Sequence, residues 1–119
     1  VKYVLDTSAI INLIQRLKDE SIDLFKECIT ADLVYYELGN FLWKIKRIDL
    51  LSDFTNILKF IRIENVTLSK EVLEIAINEN LTYYDATYLF LSRKYNIPLV
   101  SDDKDLISRG AIESKKIKN

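Results

Sequence analysis

The chain contains no histidine, which removes the commonest general base, the commonest transition-metal ligand and every Ser-His or Cys-His nucleophile pair. Any chemistry must therefore run on carboxylates, hydroxyls, lysine, tyrosine or a hard metal ion. The single cysteine, Cys28, allows neither an internal disulfide nor a thiolate metal cluster, and in its apolar setting it reads as a small core residue. Two glycines, Gly39 and Gly110, are too few for a phosphate-cradling loop, so nucleoside-triphosphate and dinucleotide sites of the Gly-rich kind are excluded. One proline and no low-complexity tract leave no linker. No apolar run approaches the ~18 residues that span a bilayer, and the first residues lack the zones of a signal peptide. The expectation is a soluble, cytoplasmic protein with no membrane contact. A net charge of −1 argues against coating nucleic acid by bulk attraction, while leaving room for a local basic rim.

The 119 residues, 49% of them hydrophobic, suffice for one domain over 1–119 that buries roughly two thirds of its unfolded surface. Strand character at KYVL (2–5) runs directly into SAIINLIQRL, where Ile10, Leu13, Ile14 and Leu17 recur at helical spacing. After a polar stretch with Asp19, Glu20 and Asp23, CITADL reads as a strand ending near Asp32, followed by a helix from Leu33 to about Arg47. Leu50, Phe54, Ile57, Leu58 and Ile61 share a helical face, and IENVTL (63–68) returns to strand character. Ser69 then caps a helix through about Asn78. The segment from Thr82 to about Tyr95 is apolar or aromatic on nearly every side and is expected to be a buried helix. Strand 98–101, a helical turn in SDDKDL, a last short strand near Ala111 to Glu113 and the basic tail KKIKN complete the chain. This alternation predicts an α/β fold with a central parallel sheet of four to five strands between helical layers, a three-layer α/β/α arrangement whose ligand site lies outside the carboxyl ends of the strands.

The acids fall at that edge. Asp6 follows the first strand, Asp102 and Asp103 follow the strand at 98–101, Glu37 lies in the first two turns of a helix that follows a strand, and Asp85 begins a helix that precedes one. Each also has a purely structural account: Asp6 as a helix cap, Thr82-x-x-Asp85 as a capping box, Asp102 as a cap with Asp105 as partner, and Glu37 on a solvated face. Asp85 resists most, because an unpaired carboxylate in an apolar helix is costly. Four carboxylates at one edge repel unless protons or a cation neutralise them, and a hard divalent ion with oxygen ligands is the natural solution. Such an ion activates water without histidine and steadies charge on a phosphodiester, which is nuclease chemistry. Phosphate contacts are available from Lys44, Lys46, Arg47, Arg93, Lys94, Lys104, Lys115, Lys116 and Lys118. Leu38, Phe41, Leu42, Trp43 and Ile45 offer either core or a groove for a partner helix, with Trp43 the foremost contact candidate.

With VLDTSAI near the start, VYYELGN in the first third and YYDATYLFLSRKYNIPLVSDDKDL near the end, the chain resembles the PIN-domain family, and within it the VapC-type ribonuclease toxins of type II toxin–antitoxin systems. The resemblance spans essentially the whole chain. It maps the acidic residues onto Asp6, Glu37, Asp85 and Asp103 as catalytic and metal-holding positions, with Ser8 and Ser101 as hydroxyl helpers and Asp102 as an extra acid. It implies an endoribonuclease dependent on Mg²⁺ or Mn²⁺, an RNA substrate, a homodimer and inhibition by a cognate antitoxin that covers the acidic pocket. Because strand side chains alternate, only one of Asp102 and Asp103 can face the metal.

Two alternatives keep the same fold: a PIN-type nuclease of RNA processing without an antitoxin, and a non-catalytic PIN-like binding module. Phosphoryl transfer through Asp6 is disfavoured. A haloacid-dehalogenase-type phosphatase wants an acid two residues after the nucleophile, where Ser8 stands, and a receiver domain wants an aspartate ending a mid-chain strand, where IENVTL ends in Leu68.

Overall fold

Four short parallel strands form the centre of the molecule in the order β3-β2-β1-β4. They are β1 (Tyr3–Leu5), β2 (Cys28–Ala31), β3 (Arg62–Glu64) and β4 (Leu99–Val100) in a computed structural model that describes residues 1–118. Asn119, the last residue of the basic tail, lies outside the described residues. Registers pair Val4 with both Ile29 and Leu99, and Thr30 with Ile63. Parallel pairing needs crossovers, and helices supply them: α1 (Thr7–Leu17), α2 (Ser21–Phe25), α3 (Leu33–Ile45), α4 (Leu51–Leu58), α5 (Lys70–Glu79), α6 (Tyr83–Tyr95) and α7 (Lys104–Ile107).

Side chains alternate across a strand, so β1 and β4 each feed both faces of the sheet. Leu5 and Val100 join a core with Ile10 and Leu13 of α1, Phe25 of α2 and Leu38 of α3. Val4 and Leu99 join a second core with Val72 of α5, Leu89 and Leu91 of α6 and Leu106 of α7. The result is the three-layer α/β/α arrangement, with α1–α4 on one face and α5–α7 on the other. β2 is buried at every position, as a strand covered on both faces must be. Cys28 within it is free and buried. Burial pushes its thiol up to about 12, so it is an inert core residue. Among the described residues no helix is long and apolar enough to cross a membrane.

Several expected boundaries move, each for a visible reason. The 63–68 strand stops at Glu64, because the Val66 N–H donates to Asp32 Oδ1 at 3.0 Å and Thr67 takes a left-handed φ of 51°. The Thr67 carbonyl then accepts from the Tyr83 hydroxyl at 2.5 Å. A fifth strand near Ala111 to Glu113 is reduced to a single parallel bridge between Val100 and Ile112, since the next N–H in line, that of Ser114, turns to Asp102 Oδ1 at 2.9 Å. The polar stretch before β2 contains α2, anchored by Leu24 and Phe25 in the core. Helix α6 is buried through its middle, from Ala86 to Leu89 and at Leu91, whereas Tyr84 in its first turn is 59% exposed and Arg93 and Lys94 in its last turn also face solvent. Leu38 and Leu42 are core residues, while Trp43 and Ile45 are exposed.

Because β1, β2, β3 and β4 are parallel, their carboxyl ends share one edge, and the chain departs from β1 and β4 in opposite directions. That reversal leaves a crevice between β1 and β4, the place where doubly wound sheets accept ligands.

Truncating Leu13, which is 0% exposed, to alanine should lower the unfolding free energy by ~2–5 kcal/mol. Leu68→Ala should change it by no more than ~0.5 kcal/mol, because Leu68 lies beyond the end of β3 and is 88% exposed. Urea unfolding followed by circular dichroism measures both, and a large loss at Leu68 would contradict the early end of β3.

Candidate functional site

Asp6 is the first residue beyond β1 and the N-cap of α1. Its carboxylate is 5% exposed. One oxygen, Oδ1, accepts from the Ala9 N–H at 2.9 Å and from Ser8 Oγ at 2.7 Å, and Oδ2 accepts from Ser101 Oγ. The capping function and the edge position are thus the same fact. Both serines also receive: Ser8 Oγ accepts the Asp102 N–H and Ser101 Oγ accepts the Asp103 N–H, each at 3.0 Å. Two hydroxyl bridges therefore tie Asp6 to the turn after β4. Burial pushes the Asp6 carboxyl up to about 6, against the lowering effect of its donors from Ser101, Ala9 and Ser8, and the nearby charge of Glu37 adds to the rise.

Glu37, in the second turn of α3, is held from two sides. Its Oε1 accepts from Thr7 Oγ1 at 2.8 Å and from the Tyr88 hydroxyl at 2.6 Å, and the two hydroxyl oxygens are themselves 3.0 Å apart. Two protons serve three close oxygen–oxygen contacts. Tyr88 is 2% exposed, and burial, reinforced by the Glu37 charge and hydrogen bond, raises its phenol far above the usual range. It stays protonated and acts as a donor. The bonds from Thr7 and Tyr88 both go to Oε1, and Oε2 of Glu37 accepts no hydrogen bond among the described residues.

A third group stands across the crevice. Carboxylate oxygens of Asp85, Asp103 and Asp105 all lie within 4.8 Å of one another. Asp85 enters from the first turn of α6, where its N–H donates to Thr82 Oγ1 at 3.1 Å. Asp103 caps α7 by accepting the Asp105 N–H at 2.8 Å. Burial pushes the Asp85 carboxyl up to about 6, followed by the charges of Asp103, Asp105 and Glu37, with Arg109 acting the other way. The acids feel one another across the crevice.

Asp102 faces elsewhere. Its Oδ2 accepts from Asn12 Nδ2 at 2.6 Å and from Ser114 Oγ at 2.5 Å, and its Oδ1 accepts the Ser114 N–H. Burial works against its charge, but the donors from Ser114 and Asn12 outweigh it and hold the carboxyl below its ordinary value. The strand alternation is resolved: Asp103 points to Asp85, while Asp102 latches α1 to the 3₁₀ turn at Ser114–Lys116. The cap of α7 is accordingly Asp103, and the expected Asp102 cap does not form.

Three groups of the candidate site are not legible in the sequence as such. Asp105 reads there as a capping partner, although its two-residue spacing from Asp103 across a helix start is a usable signal. Thr7 and Tyr88 carried no such signal, because their meeting at Glu37 joins residues from α1, α3 and α6 that only the fold brings together. Among the basic candidates most are engaged: Arg47 with Asp49, Arg93 with Glu79, Lys115 and Lys116 with Glu113, and Lys46 over the Trp43 ring.

The donor set suits a small hard divalent ion. All donors are carboxylate oxygens, and octahedral coordination at 2.0–2.1 Å implies oxygen pairs about 3–4.2 Å apart, compatible with the Asp85, Asp103 and Asp105 cluster after small side-chain adjustment. Asp6 uses three of its roughly four lone-pair positions, so it can offer at most one more.

The PIN domain profile matches residues 3–112. Two proteins of Pyrobaculum aerophilum are similar over nearly their whole lengths: exonuclease VapC9, 31% identical across 95% of this chain and 90% of its own, and ribonuclease VapC3, 31% identical across 92% and 95%. The crystal structure of PAE2754 from the same organism superposes with a TM-score of 0.84 at 29% identity, over 97% of this chain and 85% of that one. With the sheet order, the acidic crevice and these similarities in agreement, the chain belongs to the PIN-domain family and, within it, to the VapC type.

Proposed function

We propose that this protein is a metal-dependent endoribonuclease that hydrolyses RNA phosphodiester bonds and is the toxin of a toxin–antitoxin pair. The observation that carries the proposal is the meeting of Asp85, Asp103 and Asp105 at the β1/β4 crevice, with Glu37 between that cluster and Asp6 and in electrostatic reach of both, in a chain without histidine. The names of the relatives, one an exonuclease and one a ribonuclease, support nuclease chemistry on a nucleic-acid backbone.

In this reading Asp85 and Asp103 hold Mg²⁺ or Mn²⁺, Asp105 shares the charge, and Asp6 and Glu37 complete the oxygen-lined pocket. When bound, the ion neutralises the phosphodiester and lowers the pKa of water at the site. The chain's own residues position the rest. Ser8 and Ser101 fix both oxygens of Asp6, and Thr7 and Tyr88 fix one oxygen of Glu37 so that the other faces the reacting groups. Asp102 supports the site through the turn that carries Asp103.

A cleft of about 560 Å³ between α1, α3 and α4, lined by Ile14, Phe41, Ile45, Phe54 and Ile57, supports an antitoxin helix as partner, because apolar residues there lie open to an amphipathic segment. Trp43, Ile48 and Leu51, which are exposed and line one shallow hollow on the α3–α4 side, support a homodimer.

Purified protein should cut a circular RNA in the presence of Mg²⁺ or Mn²⁺, since only an endonuclease opens a circle, and EDTA should stop it. Asp85→Asn or Asp103→Asn should reduce the rate on the order of 10²-fold or more, whereas Asp102→Asn should act chiefly by lowering the unfolding midpoint. Cleavage that survives both chelation and Asp85→Asn would sink the proposal. Calorimetric titration that detects no Mn²⁺ binding would favour the binding-module alternative.

Tyr88→Phe removes one donor to Glu37 with little change of shape. The rate should fall about 10–100-fold, as for outer-shell partners of metal ligands, with the circular dichroism spectrum retained; an unchanged rate would deny Glu37 its role.

Co-expression with the product of the reading frame immediately upstream tests the partners. Light scattering should give twice the chain mass for the protein alone and a larger complex with that product. Ile57→Asp, at the α1/α3/α4 cleft, should abolish the larger complex, and its persistence would move the antitoxin elsewhere.

A further inference from the structure

Glu37 belongs to a longer stripe on α3. Tyr36, Asn40 and Lys44 follow one another at i, i+4 and i+8, a single helical face. All three line a cleft of about 510 Å³ whose inner end is Thr7, Ser8 and Glu37 and whose far wall is Tyr84 of α6. Tyr36 is 79% exposed and Tyr84 is 59% exposed. The same two rings also line a smaller neighbouring hollow with Leu33 and Thr87, so both stand free between two openings. Among the described residues, no hydrogen bond engages either hydroxyl or the Asn40 amide, and no ion pair engages the Lys44 ammonium.

Two neighbouring aromatics are engaged within the chain instead. Tyr83, one residue before Tyr84, is pinned by donating to the Thr67 carbonyl and accepting the Ser69 N–H, and Trp43 is covered by Lys46 at 4.5 Å. An aromatic pair, an amide and a free cation lined up from the acids outward is the composition of a single-strand track: rings for bases, a cation for the backbone. The helix rise places Lys44 about 12 Å along α3 from Tyr36, farther from the acids than one backbone phosphate at the site would lie. A base in a duplex already has both faces covered by its neighbours, so only an unpaired base can lie on these rings.

We propose that the cleft between α3 and α6 is a nucleobase subsite, in which Tyr36 and Tyr84 stack on an unpaired base next to the scissile phosphate and Lys44 takes a flanking phosphate. The identity of the strand rests on the ribonuclease reading; the subsite rests on the two tyrosines, Asn40 and Lys44.

The test measures binding apart from cleavage. A short unstructured fluorescein-labelled RNA and a fully paired duplex of the same sequence are titrated with the Asp85→Asn chain in Mg²⁺, and anisotropy is read. Tyr36→Ala and Tyr84→Ala, added singly, should each weaken single-strand binding on the order of tenfold. Tyr36→Phe, which keeps the ring, should stay within about twofold of the parent, as should Tyr35→Ala, an exposed α3 tyrosine outside the cleft. Lys44→Ala should reduce the slope of log affinity against log salt by about 0.7, and the duplex should bind at least about tenfold more weakly than the single strand. Equal affinity for duplex and single strand, or both alanine variants binding like the parent, would overturn the subsite. If the native chain cleaves RNA while both tyrosines prove dispensable, the ribonuclease reading stands and the subsite falls. If tyrosine-dependent binding is found in a native chain that cleaves nothing, the subsite stands and the catalytic reading falls; absence of any RNA binding overturns the subsite outright.

Discussion

The buried carboxylate of Asp6 is the constraint on which the crevice depends. A carboxylate in that position is tolerated only if its oxygens are filled by donors, because a buried charge without partners costs several kcal/mol. Ser8, Ser101 and the Ala9 N–H fill them. The same two serine hydroxyls accept the N–H groups of Asp102 and Asp103, so satisfying the carboxylate at the end of β1 also sets the path of the chain after β4. The requirement of one side chain thereby places a second acid, Asp103, at its mark.

The Asp102–Asp103 pair divides labour along the same lines. Adjacent residues leaving a strand point to opposite sides. One of them closes the fold by joining α1 to the last 3₁₀ turn through Asn12 and Ser114, and the other meets Asp85. The downward displacement of the Asp102 carboxyl and the upward displacement of Asp85 express that contrast: one acid is surrounded by donors, the other by burial and like charge. Crowding of the second kind, held in place by a rigid sheet edge, is what a site for a divalent cation requires before the cation arrives.

Support for the acids is polar and shared, and it extends across the layers. Tyr88 belongs to the core on the α6 side, yet its hydroxyl reaches Glu37 of α3 on the other layer and meets Thr7 of α1 there. No buried side-chain polar atom among the described residues lacks a partner. The neighbouring cleft has the opposite character: the side chains of Tyr36, Tyr84, Asn40 and Lys44 make no hydrogen bond or ion pair among the described residues. Hydrogen bonds that hold Asp6 and one oxygen of Glu37 thus lie beside a cleft wall whose polar groups are not used within the protein.

The sequence by itself determined the element order, the parallel sheet and the edge on which the acids fall. Those features follow from hydrophobic periodicity, from caps such as Asp6 and Ser69, and from the rule that parallel strands need crossovers, all of them local or topological. Even there, β3 stops at Glu64 and the strand near Ala111 to Glu113 shrinks to a single bridge, where side chains of Asp32 and Asp102 capture backbone N–H groups. Tertiary structure alone decided which of Asp102 and Asp103 faces Asp85, brought Asp105 into the cluster, delivered Tyr88 and Thr7 to one oxygen of Glu37, and left Tyr36 and Tyr84 open beside it. The physical reason is that hydrogen-bond partners separated by tens of residues are chosen by the angles at which helices cross the sheet, and nothing in the local spacing of residues encodes those angles.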